Sequence, residues 1–192
     1  VEPGTDAKYR DWFRAFYKWR RQALELPKRR VPEKLLSPNV LLDPAQVHQL
    51  VMAVHSPRDK ALVMVLWETG GRAREVLGIR RQDLSFDVQL ARVRLTGKTG
   101  PRVSFLLEAI PYLQVWLGWL RDLPDDAPIW QGKCGAIGDN WLREWLARLG
   151  QRVLHRHLHP HLFRHSRATY LISQGMPEAL VCALMGWRIG SS

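Results

Sequence analysis

At 192 residues the chain is long enough for one sizeable domain, or for one domain with a fragment of another. Its 46% hydrophobic content supports a packed core, while no apolar run reaches membrane-spanning length and no signal peptide is expected at its start. Twenty-nine basic residues against 18 acidic ones leave a net charge of +11, and the two cysteines, Cys134 and Cys182, are too few for a disulfide framework and fit a reduced, cytoplasmic setting. The charge favours a polyanionic partner, nucleic acid ahead of a membrane surface; a basic but unspecialised enzyme, or a genome rich in arginine codons, is the plainer alternative. Only seven of the basic residues are lysines, and arginine offers phosphate a planar fork that lysine lacks.

In chain order, residues 7–26 are predicted to form a helix, with Trp12, Phe16, Trp19, Ala23 and Leu26 on one apolar stripe. Arg14, Lys18 and Arg21 line another face, suited to a DNA backbone or simply to solvent. Pro27, Arg29, Arg30 and Pro32 break the pattern, so residues 27–41 read as a linker and 1–26 as the end of a preceding helical domain. A second unit, 42–192, opens at Asp43-Pro44, an N-cap followed by proline at the first helical position. Ser56-Pro57 repeats that signal, starting a helix that stops at Gly70-Gly71, and a further helix carries Glu75. From Val88 the period changes: Ala91, Val93 and Leu95 alternate with Arg92 and Arg94, Gly97-Lys98-Thr99-Gly100 turns the chain, and Val103 and Phe105 alternate after it, which predicts a β-hairpin. Helical spacing returns at 108–122 and 139–149, and two more helices end at Gly175 and Gly186. The expected fold class is mainly α with a small antiparallel β-sheet.

Certain residues have chemistry to offer. Arg72 follows two glycines at a helix break with Glu75 one turn on; it either points into a cleft, oriented by that carboxylate, or caps the surface. Lys98, on the hairpin turn, is either an ordinary exposed residue or a proton donor, since lysine can release a proton near neutral pH and arginine cannot. In Pro160-His161-Leu162-Phe163-Arg164-His165, His161 and Arg164 share a face at a helix start, where free N–H groups favour phosphate. Five of the seven histidines lie between His155 and His165, yet their alternating spacing matches no structural zinc site, so no metal is expected.

Taken together, these motifs resemble the tyrosine recombinase (phage integrase) family, catalytic domain. Thr69-Gly70-Gly71-Arg72 with Glu75 resembles its first arginine box, and Gly97-Lys98-Thr99-Gly100 followed by Arg102 its hairpin lysine. Residues 160–165 resemble its His-x-x-Arg-His box, and Leu184-Met185-Gly186-Trp187 the Leu-Leu-Gly-His/Trp box that follows. The resemblance covers residues 42–192 and, more weakly, the helix at 7–26, which is similar to the end of the family's N-terminal core-binding domain.

The resemblance implies a site-specific recombinase that cleaves and rejoins double-stranded DNA through a 3′-phosphotyrosine, with no cofactor, working as a homo-oligomer (a tetramer) on DNA and associated with the nucleoid. It implies catalytic roles for Arg72, Lys98, His161, Arg164 and Trp187, and supporting roles for Glu75 and His165. Arg14, Lys18, Arg21, Arg29, Arg30 and Arg102 are expected to bind DNA. Many relatives have histidine where Trp187 stands, though some active ones have tryptophan. The family's nucleophile follows within a few turns of that box; Tyr9, Tyr17, Tyr112 and Tyr170 all lie elsewhere, so the chain is expected to be cut before its nucleophile and inactive in cleavage as it stands. A type IB topoisomerase or telomere resolvase shares the box but has longer spacing, and a non-catalytic DNA-binding integrase relative is the remaining alternative.

Overall fold

The computed structural model describes residues 40–97 and 100–187, all within the second of the chain's two units, Ser37–Ser192. The predicted first helix with Arg14, Lys18 and Arg21, the linker residues Arg29 and Arg30, and Lys98 lie outside the described residues.

Helix α1 (Pro44–Ala53) starts where its signals place it. Asp43 accepts the Gln46 N–H at 2.7 Å, and the Gln46 side chain reaches back to the Asp43 N–H. Helix α2 (Pro57–Thr69) is the axis of the domain: every residue from Ala61 to Thr69 is buried, and the helix packs against α1 and several of the elements described below. A helix apolar on one stripe packs on one side; this one is covered all round. It ends at Gly70, whose φ of 52° is left-handed, and a Cβ there would come within 2.7 Å of Met185 Sδ. Only glycine meets both the conformation and the close approach. Helix α3 (Ala73–Leu77) follows immediately.

Strands β1 (Leu84–Phe86), β2 (Ala91–Gly97) and β3 (Gly100–Leu106) form an antiparallel sheet in that order. The β2–β3 hairpin is the predicted one, closed by the pair Gly97↔Gly100. Its register turns the faces differently from the apolar alternation of β3. Cross-strand partners share a face, so the inward residues Leu95, Val93 and Ala91 are matched by Arg102, Ser104 and Leu106, whereas Val103 and Phe105 stand outside, 49% and 47% exposed, opposite Arg94 and Arg92. Pairing register decides which face is buried, and here it carries an arginine inward.

Helix α4 (Ile110–Trp119), a two-stranded ribbon of β4 (Gln131–Gly132) and β5 (Gly135–Ala136), and helices α5 (Asp139–Leu154), α6 (Pro160–Ser173) and α7 (Glu178–Met185) complete the unit. Glu68, 8% exposed near the end of α2, takes the backbone N–H groups of Leu107, Glu108 and Ala109 at 2.9–3.1 Å, just before α4 begins. Replacing Glu68 with alanine strands three donors and is expected to lower the unfolding free energy by about 3 kcal/mol in urea titration, while Glu68→Gln, which keeps one acceptor, costs less. Among the described residues no helix is long and apolar enough to cross a membrane.

Candidate functional site: a cluster of arginines at two helix ends

The site is assembled where two helices present their carbonyl ends. Arg164, on the first turns of α6, is 3% exposed; its Nη1 donates to the Gly70 carbonyl at the end of α2 (2.8 Å) and its Nη2 to the Met185 carbonyl at the end of α7. Carbonyl ends of helices carry partial negative charge, so a buried guanidinium is tolerated there. Burial, then the positive charges of Arg72 and Arg102, lower the Arg164 pKa to about 10, against a smaller opposing effect of Glu75, and it stays charged at neutral pH. Two of its five N–H donors are spent on the helix ends. Its guanidinium carbon lies 5.2 Å from the centre of the Trp187 ring, a cation–π contact.

Glu75 organises the other half. Its carboxylate accepts the Arg72 N–H at 2.9 Å and pairs with Arg72 Nη1 at 2.7 Å; Arg102 Nη2 lies 2.7 Å away, off the N–H axis, as an ion pair rather than an aligned hydrogen bond. Burial works to raise the Glu75 pKa, but the contacts from Arg102, the Arg72 backbone and the Arg72 guanidinium outweigh it and hold the carboxyl at about 2. Gly97, at the end of β2, abuts the same carboxylate: a Cβ there would overlap Glu75 Oε1 and lie 2.9 Å from its Cδ and Cγ. Three guanidinium groups around one carboxylate leave an excess of two positive charges, and Arg72, its side chain 32% exposed, is the most open of the three to an incoming anion.

The sign of the Glu75 shift gives a pH prediction. Its folded pKa lies below the ordinary value of 4.5, so its contribution to stability is complete above about pH 5 and disappears as pH falls towards 2. Relative to Glu75→Gln, the native protein should lose about 3 kcal/mol more between those limits, read from urea unfolding at a series of pH values.

Of the residues singled out from sequence, the fold brings together Arg72, Glu75, Arg102, Arg164 and Trp187. Arg102, grouped by sequence with DNA-facing residues, is instead turned inward, its side chain 10% exposed. His161 and His165 lie on the solvent-facing side of α6; partial desolvation of the His165 ring, then the charges of His161 and Arg164, favour its neutral form. The histidine-rich stretch is mostly the connection from α5 to α6: His155 closes α5 at φ 53°, and His159 caps α6 through Nδ1, which accepts the Leu162 N–H at 3.2 Å. That acceptor role requires an unprotonated Nδ1, and burial followed by neighbouring positive charges favours it. Among the described residues, no three histidine, cysteine or acidic side chains stand together as a metal-holding group. The two described tyrosines, Tyr112 and Tyr170, are half-buried against the core, Tyr170 with its ring 5.6 Å from that of Trp67.

The sequence pattern of the phage integrase family matches residues 41–192. The chain belongs to the phage integrase family. Similar members include the tyrosine recombinase XerC of Chlamydia pneumoniae, 29% identical over 170 residues, covering 82% of this chain and 53% of that protein. The tyrosine recombinase XerA of Saccharolobus solfataricus is 27% identical over 175 residues, covering 91% and 56%. The chain thus spans about half the length of the curated relatives it matches. Among solved structures, the XerH site-specific recombinase bound to difH substrate superposes with a TM-score of 0.78 at 19% identity, covering 100% of this chain and 60% of that one. The Tn1549 transposon integrase in complex with transposon right end DNA gives 0.71 at 20% identity, covering 97% and 72%. These likenesses establish the phage integrase fold, mostly helical with a small antiparallel sheet.

Proposed function

We propose that the chain is the DNA-cleaving part of a site-specific recombinase, and that the arginine cluster receives one phosphodiester of double-stranded DNA. The observation that supports this most directly is the gathering of Arg72, Glu75, Arg164 and Trp187 at one place in a phage integrase fold. A phosphate carries negative charge on its non-bridging oxygens, and that charge builds further as a fifth oxygen attacks. Fixed guanidinium groups aimed at those oxygens stabilise the transition state more than the ground state.

In this reading a tyrosine hydroxyl loses its proton to solvent as its oxygen attacks phosphorus, a phosphotyrosyl ester forms on the 3′ side, and the bond to the 5′ oxygen breaks. Lys98 supplies the proton that the departing 5′ oxygen needs. One phosphodiester is exchanged for another, so the step requires no nucleotide to drive it. Arg72 and Arg164 hold the non-bridging oxygens, His161 and the Trp187 indole N–H add hydrogen bonds, Glu75 orients Arg72, and His165 supports the site. Tyr112 and Tyr170, packed against the core, are not the attackers; the nucleophile is assigned to a tyrosine outside the described residues. Arg14, Lys18, Arg21, Arg29 and Arg30 contribute non-specific grip on the DNA backbone, and the protein acts on nucleoid DNA as a homo-oligomer, a tetramer at the synapse. The neighbours solved with difH substrate and with transposon right end DNA support the choice of DNA as partner.

The test is trapping. Full-length protein is incubated with a nicked suicide duplex bearing a sequence that the protein itself selects from a random pool. A covalent protein–DNA adduct sensitive to Arg72→Ala is expected. Binding without any adduct would instead assign the chain to the non-catalytic DNA-binding relatives, and relaxation of supercoiled plasmid without sequence preference to topoisomerase-like chemistry.

A further inference from the structure

Arg102 stands at a junction that its neighbours in sequence do not reveal. From the inward face of β3 its Nε donates to the Leu184 carbonyl of α7 at 2.9 Å, while Nη2 lies against Glu75 Oε2 at 2.7 Å. The next carbonyl along α7, that of Met185, takes Arg164, and the other oxygen of Glu75 takes Arg72. One guanidinium therefore touches, through a single intermediate on each side, both arginines of the proposed phosphate clamp. Its remaining nitrogen, Nη1, is buried with no hydrogen-bond partner among the described residues. A buried cation left partly unsatisfied is a poor stabiliser, because desolvation offsets what its contacts return. Such a group is better explained by the geometry it imposes.

We propose that Arg102 is a positioning residue: it locks the Glu75 carboxylate and the end of α7 into one arrangement, and so sets the placement of Arg72 relative to Arg164. The proposal rests on the recombinase reading above and names a residue of that same site. Arg102 does not touch the DNA. From the hairpin its fork reaches both Glu75 on α3 and the carbonyl end of α7, and Gly97, packed against the Glu75 carboxylate, completes the support. Lysine in its place keeps the charge but not the fork, so it can serve Glu75 or Leu184 and not both in fixed geometry.

The experiment measures single-turnover adduct formation and duplex affinity separately, in full-length protein on the selected suicide duplex. Arg102→Lys and Arg102→Met are each expected to slow cleavage about 10-fold or more while duplex Kd stays within about 3-fold. Combining Arg102→Met with Glu75→Gln is expected to be no slower than the slower single variant, because both disable one relay. Near-UV circular dichroism checks folding, and if the methionine variant does not fold, the lysine variant carries the comparison. Cleavage within about 3-fold of the parent in Arg102→Lys and Arg102→Met, or losses that multiply in the double variant, overturns the relay. So does weakened binding with cleavage intact, which makes Arg102 a backbone contact. If the parent itself forms no adduct, it is the recombinase reading that fails, and the relay falls with it.

Discussion

Replacing Arg164 with alanine is expected to lower the single-turnover rate of DNA cleavage by about 10³-fold or more and to change duplex affinity by no more than about 3-fold. The two readouts separate in the proposed function because the charge available to attract DNA is spread over 29 basic residues, whereas the charge proposed to meet the reacting phosphate is confined to the cluster. Arg164 is also bonded to Gly70 and Met185, so its removal strands two buried carbonyls and costs about 2 kcal/mol of stability as well. The cleavage defect must therefore be measured well below the melting temperature of the variant. Arg164→Lys separates charge from geometry: an ammonium group cannot reach two helix ends and a phosphate with one planar fork, so lysine is expected to restore stability better than rate.

Lys98→Ala is expected to slow cleavage by about 10²–10⁴-fold, the usual range for loss of a general acid, and the loss should be recovered on a duplex whose 5′ bridging oxygen is replaced by sulfur. A thiolate leaves without a proton, so the variant and the parent should cleave that substrate at similar rates. The strands on either side of Lys98 end at the paired residues Gly97 and Gly100, and Gly97 rests against Glu75, which is bound to Arg72. That places the start of the turn beside the cluster. If Lys98→Ala is equally slow on oxygen and sulfur substrates, Lys98 holds DNA or shapes the turn and donates no proton.

Local signals in the sequence carried far. Asp43-Pro44 and Ser56-Pro57 mark helix starts, Gly70 and Gly186 mark stops in left-handed conformation, and the paired glycines close the hairpin where expected. Arg72 and Glu75 were legible as a pair because a helix brings residues three apart onto one face. What stayed hidden depends on register or on distance along the chain. Val103 and Phe105 look like the buried face of β3, yet pairing with β2 buries Arg102, Ser104 and Leu106 instead. Local alternation shows that a strand has two faces, but only the partner strand decides which one meets the core. Glu68 serves backbone donors about forty residues away, and no spacing rule anticipates that a carboxylate near the end of one helix secures the entry to another. The convergence of two helix carbonyl ends on Arg164 is likewise a property of the packed fold.

The central claim, that Arg72 and Arg164 neutralise one phosphate, is tested most directly by removing the charge from the substrate instead of the protein. A methylphosphonate at the scissile position replaces a charged non-bridging oxygen with a neutral methyl group. The ratio of native to Arg164→Ala cleavage rates should then collapse from about 10³ to about 10 or less, because there is less charge left for Arg164 to stabilise. An undiminished ratio on the neutral substrate would show that Arg164 acts elsewhere than on the reacting phosphate.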